Sequence, residues 1–313
     1  MRIVVTGATS FIGLAVTKEL LDKGHEVFAV ARPDSPGRRR LEGKEGCFIM
    51  SCTLREIHTL VGRRELAGGA DAWLHLGWGG AGSDNRRNPE IQARNIAYAL
   101  EALRTAYALG CSRFLFSGSQ AEYGICHTVM REDGECHPVS EYGKDKLKVC
   151  SMASEEARRL GITYIHARIF SVYGPGDHPW SLIATCMDTF LKGGHMELGA
   201  CTQMWNFLYI TDAARALTGL LLAKAPAGVY NVAGEDTRPL KHYLEELHRL
   251  CGGGGTYEYG KRPPNAEGVV SLIPDTGKLH EAVGFRQEIS FEQGIKEMLH
   301  KGNIPYQKSL GLK

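Results

Sequence analysis

The chain opens with a short apolar run, Arg2 to Thr6, then a turn, then apolar residues at helical spacing, Leu14, Val16, Leu20 and Leu21, that stop at Gly24. A second apolar run, "HEVFAVAR" at 25–32, follows. Strand, glycine turn, helix and strand in that order form a βαβ unit with parallel strands. The alternation continues, with strands predicted at 72–78 ("AWLHLGW"), 113–119 ("RFLFSGS"), 163–170 ("TYIHARIF") and 228–234 ("GVYNVAG"). Helices near 89–109, 140–160 and 212–224 lie between them. This order predicts an α/β fold, a doubly wound parallel Rossmann sheet.

Beyond about residue 172 the pattern loosens into "YGPGDHPW", a helix to about 192, and the segment "GACTQMWNFLYITD". "CGGGGTYEYGKRPPN" at 251–265 reads as an exposed connector. The expected division is therefore a dinucleotide-binding domain over 1–171, with about 206–234 returning to it. A smaller substrate-binding lobe would be built from the discontinuous segments 172–205 and 235–313.

Composition narrows the function classes. With 313 residues, 43% hydrophobic and 23% charged, the chain can bury a sizeable core. A net charge of +2 provides no broad basic field, so neither nucleic acid nor membrane is expected as a partner. The local run Arg38, Arg39, Arg40 is expected to be a solvated loop. Nine cysteines, an odd number without a CxxC pair, suit reduced thiols. No charged leader precedes the first strand and no run of about 18 apolar residues occurs, which leads us to expect a cytoplasmic protein. His75, His127, His137 and His178 lack ligand spacing, so no metal site is expected; His75 reads as a strand-core histidine.

Candidate chemistry begins at "VTGATSFIG", residues 5–13. After a strand, the backbone N–H groups at a helix N-terminus can face a pyrophosphate, and glycines let the backbone approach it. Ser10 stands where the usual pattern has its middle glycine; it is small, and its hydroxyl can donate to a phosphate oxygen.

Six ordered motifs carry a resemblance that covers nearly the whole chain. The turn matches TGxxGxxG at Thr6, Gly7 and Gly13, and "HLGWGG" is similar to an HLAA segment after the fourth strand. "FSGSQAEYG" is similar to a serine segment, "YGKDK" to YxxxK, "RIFSVYGPGD" to RxxNVYGPG and "FLYITDAARAL" to FxYVxDxAxA. The chain resembles the extended short-chain dehydrogenases/reductases, or NAD-dependent epimerase/dehydratase family, and looks closest to nucleotide-diphosphate 4-keto-6-deoxysugar reductases. The resemblance implies a nicotinamide cofactor on Gly7, Ser10, Phe11, Ile12, Gly13, Leu76 and Lys146, with a nucleotide-diphosphate sugar as substrate. It also implies a homodimer packed through the helices near 89–109 and 140–160, where Ala97, Leu100, Leu103, Leu147 and Met152 could supply the contact or could cover the sheet.

Tyr142 and Lys146 stand four apart in a helical stretch and emerge from one face. A free phenol, with a pKa of about 10, is a poor base at neutral pH, but a neighbouring ammonium and an oxidised nicotinamide favour its phenolate as a proton shuttle. The resemblance makes Ser119 the active-site serine, with Ser117 its competitor, and implies that Lys146 also reaches the nicotinamide ribose. Asn95 is implied near the site, or else is a packing amide. Arg262 in "KRPPN" is similar to a diphosphate-binding arginine; the alternative is a solvated loop residue. Trp205 replaces an arginine that in relatives contacts phosphate, and Trp78 stands where small residues are usual, as a wall of the sugar pocket or as packing.

Two details direct the choice of reaction. Ala31 and Arg32 close the second strand where NAD-using relatives carry Asp, and an arginine there suits a 2′-phosphate; NADP is favoured over NAD, the other possibility being that Asp34 accepts the ribose hydroxyl. Gln120 and Ala121 replace the Asp-Glu pair of the 4,6-dehydratases, which disfavours dehydration; Glu122, where the family has an aliphatic residue, could be a displaced acid or could face elsewhere. The expected activity is NADPH-dependent reduction of a 4-ketosugar. The alternatives are a nucleotide-sugar 4-epimerase and a catalytically silent cofactor-binding protein.

Overall fold

The computed structural model describes residues 1–82, 85–223, 225–263 and 268–300. The first half of the chain alternates as expected: β1 (Arg2–Thr6), α1 (Phe11–Asp22), β2 (Glu26–Ala31), β3 (Cys47–Ser51), β4 (Ala72–His75), α2 (Pro89–Ala108), β5 (Arg113–Ser119), α3 (Glu141–Leu160) and β6 (Thr163–Ile169). The second half is more broken. It contains β7 (Ser171–Tyr173), α4 (Leu182–Leu191), β8 (His195–Glu197), β9 (Met204–Tyr209), α5 (Ile210–Leu222) and β10 (Gly228–Val232), then β11 (Thr237–Pro239), α6 (Leu240–Leu250), β12 (Thr256–Glu258), α7 (Gly277–Val283) and α8 (Phe291–His300).

Seven strands form one parallel sheet in the order β3-β2-β1-β4-β5-β6-β10, the doubly wound arrangement expected from the alternation. Successive strand residues serve opposite layers. Ile3 and Val5 pack with α1 and α5, through Val16, Leu20 and Leu217. Val4 and Trp73 pack with α2 and α3, through Leu103, Val149 and Ala153. Both faces are covered, which is why the central strands read as continuous apolar runs and not as alternating ones. Leu100 and Leu103 belong to this covering layer, so they are sheet-packing residues; Ala97 and Met152 are exposed.

At the amino ends of the strands, the Arg113 guanidinium donates to the carbonyls of Leu220, Leu221 and Ala225, at 2.8–3.0 Å, and so ties β5 to the end of α5. A separate apolar cluster joins α4, α6 and α8 around Tyr173, Tyr243 and Phe291. The expected connector at 251–265, of which 264 and 265 lie outside the described residues, is partly a strand, because Thr256–Glu258 pairs with β8. A three-residue strand among glycines leaves no periodicity to read. The edge strand β3 was missed for a similar reason: it is half exposed, with Phe48 at the surface.

The glycine turn depends on contacts that only glycine allows. A Cβ on Gly13 would lie 2.1 Å from the Gly7 carbonyl oxygen. In an ordinary helix a Gly to Ala change stabilises by about 0.5–1 kcal/mol. Here the clash is with backbone, so Gly13→Ala is expected to lower stability by about 1–3 kcal/mol, measured as a fall in denaturant midpoint.

Candidate active site

The strand order reverses between β1 and β4, and a crevice of about 880 Å³ opens there at the carboxyl ends of the strands. Gly7, Ser10 and Phe11 line one side, Leu76 and Trp78 another, and the segment 176–180 closes it opposite. Gly7 has φ +69°, and a Cβ on it would lie 2.9 Å from the Gly77 nitrogen, so the two loops touch through backbone. Ser10 caps α1: its Oγ accepts from the Gly13 N–H at 3.1 Å. The cap uses a lone pair and leaves the hydroxyl hydrogen for an anion. A close-packed glycine cradle at a helix N-terminus, open to a crevice, fits a dinucleotide pyrophosphate. Ile12 packs its side chain in the core, so only its backbone can serve that role.

The loop after β2 is bound to this turn by Thr9 Oγ1 and Ser35 Oγ, 2.8 Å apart. Arg32, Arg39, Arg40 and Arg55 also line the crevice. The arginine run is thus only in part the solvated loop expected: Arg39 and Arg40 are exposed yet face the crevice, whereas Arg38 donates to Ser51 Oγ at 2.7 Å. Arg32 lies 4.0 Å from Asp34, and both are largely exposed.

Tyr142 and Lys146 sit on the α2/α3 face of the sheet. Register sets His75, Phe116 and His166 side by side on β4, β5 and β6, as a stacked row with centroids 5.7 and 5.4 Å apart. Ser140 caps α3 through the Gly143 N–H at 3.2 Å. A Cβ on Gly143 would come within 2.4 Å of the Ala121 carbonyl oxygen, so glycine lets the first turn of α3 sit on the segment that follows Ser119. Tyr142 and Lys146 are delivered there together, both almost fully buried.

Lys146 donates to the Ser117 carbonyl at 2.6 Å. Its ammonium lies 4.0 Å from the Trp78 ring centroid, 4.6 Å from that of Phe116 and 5.6 Å from that of Tyr142. Burial pushes its pKa down to about 7, against the field of Glu122 and with that of Arg86. The same burial, with Lys146 nearby, drives His75 down to about 3, so His75 is a neutral core residue hydrogen-bonded to Thr6 Oγ1 at 2.9 Å. Ser119 ends β5; its Oγ accepts from Ala121 N–H and its own N–H donates to Glu122 Oε1 at 2.7 Å.

Glu122 does not reach the crevice as a displaced acid. It is fully buried and paired with His166 and Arg168. Asn95 is likewise used internally: its Oδ1 accepts from Gly79 N–H at 2.7 Å and its amide donates to the carbonyls of Gly79 and Ile91. It therefore fixes the loop after β4, the packing role that stood as the alternative for this residue. Trp78 does line the crevice, held by Gln92 at 2.8 Å and edge-on to Tyr142. Trp205 packs against Phe207, and Arg262 is exposed beside Leu198; neither lines the crevice.

Sequence reasoning missed Gln92, His166 and the arginines 39, 40 and 55. Gln92 had a readable signal, one helical turn before Asn95. His166 had none, because its partner is 44 residues away. Among the described residues no group of three or more His, Cys, Asp or Glu side chains could hold a metal, and no helix is long and apolar enough to cross a membrane.

Comparison with known proteins gives the same architecture. Residues 3–233 match the sequence model of the NAD dependent epimerase/dehydratase family. The chain belongs to that family. As a member of the NAD-dependent epimerase/dehydratase family it is an enzyme of the extended short-chain dehydrogenase/reductase type. It is 23% identical to a UDP-N-acetyl-alpha-D-glucosaminuronate decarboxylase of Bacillus cytotoxicus, over 95% of this chain and 96% of that one. The UDP-glucose 4-epimerase of Thermotoga maritima with UDP-glucose superposes with a TM-score of 0.85 at 24% identity, covering 96% of this chain and 99% of that one. The Thermus thermophilus UDP-glucose 4-epimerase complexed with NAD gives 0.83 at 22% identity, covering 95% and 97%.

The buried pair makes a pH prediction. Burial alone would lower His166, but the Glu122 carboxylate outweighs it and raises the imidazole from 6.5 to about 9. The folded chain therefore binds this proton more tightly than the unfolded chain. Its contribution is complete below pH 6.5 and lost as pH rises through about 9. Urea midpoints for the wild type and His166→Gln should differ most at pH 6 and converge towards pH 10.

Proposed function

We propose that this chain is a nucleotide-sugar 4-epimerase, with a UDP-hexose type of substrate. One observation carries the reading: Lys146, one turn from Tyr142 on α3, bonds the Ser117 carbonyl and lies 4.0 Å from the ring of Trp78, which lines the crevice, while the acid Glu122 is sequestered by two cations. Elimination needs a further acid and base; Ala121 offers neither and Glu122 is tied to two cations. The comparisons support epimerase better than the reductase that the sequence suggested, since the relatives include UDP-glucose 4-epimerases and a UDP-sugar decarboxylase.

The bound nicotinamide would supply a reversible hydride acceptor for the sugar carbon. Tyr142 takes the proton of the C4 hydroxyl as that bond is oxidised and returns it on reduction. Ser119 holds the sugar oxygen by a hydrogen bond. Lys146 favours the phenolate and contacts the ribose. Trp78, which lines the crevice, would keep water from the reacting carbon. The segments 172–205 and 235–313, of which 264–267 and 301–313 lie outside the described residues, would hold the nucleotide end of the substrate, with Trp205 and Arg262. Two copies would associate through α2 and α3, where Ala97, Tyr107 and Met152 are exposed.

A second reading, NADPH-linked reduction of a 4-ketosugar, is favoured by the four arginines, Arg32, Arg39, Arg40 and Arg55, that line the crevice. Guanidinium groups suit a 2′-phosphate, and the family's usual ribose-binding Asp is replaced by Arg32. Purified enzyme given UDP-hexoses and NAD should exchange C4 isomers with no net change in nicotinamide absorbance. Net loss of NADPH with a 4-ketosugar nucleotide, and none with NADH, would establish the reductase instead. Tyr142→Phe should lower kcat by about 10²–10⁴ in either case.

A further inference from the structure

The reaction as proposed makes no use of Glu122, yet this buried carboxylate has partners on three residues. It accepts from the Ser119 N–H at 2.7 Å and pairs with His166 Nε2 at 2.9 and 3.0 Å and with Arg168 Nε at 2.9 Å. All three side chains of the ion cluster are buried. A carboxylate buried alone would take up a proton, since desolvation raises its pKa; two cations more than offset that here and hold it below its ordinary value.

Two other features follow from the same group. A Cβ on Gly118 would lie 2.3 Å from His166 Nε2 and 2.7 Å from Glu122 Oε1, so the cluster requires the glycine between the two serines of "SGS". Ser119 and Glu122 also cap one another reciprocally. The serine Oγ accepts from the turn that carries the glutamate, and the glutamate accepts from the serine backbone. The direction of the Ser119 hydroxyl is therefore fixed from behind.

We propose that Glu122 is a positioning residue that aims Ser119 through this reciprocal turn and supplies the counter-charge to the Lys146 ammonium. Lys146 is faced by Tyr142 on its own helix, by Trp78 and Arg86 from the loop after β4, by His75 on β4, and by Phe116 and the Ser117 carbonyl on β5. The Glu122 carboxylate opposes desolvation there, and Arg86 acts the other way. His166 and Arg168 hold Glu122 ionised, so the cluster acts on the ammonium through a carboxylate that cannot be neutralised by a neighbouring proton.

The kinetic part of this inference rests on the proposed reaction; the electrostatic part does not. Tryptophan emission followed against pH reads Lys146 directly, because the Trp78 ring lies 4.0 Å from its ammonium. The wild type should show an inflection near pH 7 that is absent from Lys146→Met. Glu122→Gln should move it to lower pH by about one unit, and Glu122→Asp by no more than a few tenths of a unit. An inflection unmoved in Glu122→Gln overturns the counter-charge. In the kinetic arm, both variants should lower kcat about tenfold or more with KM within about twofold. Unaltered kcat, or a raised KM alone, overturns the aiming of Ser119. Should Glu122→Gln not fold, Glu122→Asp, one methylene too short to keep all four contacts, carries the kinetic arm by itself. An inflection that moves as stated in an enzyme inert towards every nucleotide sugar supports Glu122 in this role and refutes the proposed function.

Discussion

The structure depends on the backbone contact between the turn after β1 and the loop after β4. These strands are neighbours in the sheet but lie on either side of the reversal in strand order, so their exits diverge and leave a crevice. Gly7 and Gly77 meet there, and Gly13 seats α1 against Gly7. Larger residues would separate these pieces and remove the floor on which a pyrophosphate can rest. The helices on both faces then do little more than hold the strands in register, and that register in turn decides which side chains become neighbours at the carboxyl ends.

On the α3 side, register assembles a buried polar layer behind an apolar one. Phe116 separates Lys146 in front from His166 behind, and Glu122 closes the row through Gly118. Burying this much charge is costly in isolation. The layer is tolerated because each buried group has a partner: Lys146 the Ser117 carbonyl, Glu122 two cations and an amide, His166 both Glu122 and the Tyr164 hydroxyl.

Much of this was legible in the sequence. The six strands of high apolar content and the helices between them could be placed because both faces of the sheet are buried, which removes ambiguity about which positions are apolar. The Tyr142 and Lys146 pair could be read because a helix makes residues four apart neighbours. Asn95 could not be assigned, since whether an amide faces a ligand or its own loop depends on where Gly79 lies. Glu122 looked like a stray acid because its partners are on β6, and sequence spacing carries no trace of a cross-strand row. Arg39, Arg40 and Arg55 at the crevice were hidden for the opposite reason: exposed residues leave no periodic signal, and an arginine facing a ligand cleft reads like one facing bulk water.

The Arg113 clamp at the far end of the sheet bears on how the molecule can breathe. Its guanidinium satisfies three carbonyls at the close of α5, a helix end without a glycine cap. Prising that layer from β5 would strand all three acceptors and a half-buried cation at once, so the amino-terminal edge acts as a fixed pivot. Any widening that admits a bulky ligand must originate in the loops at the opposite edge, where Trp180 and His178 lie stacked and exposed.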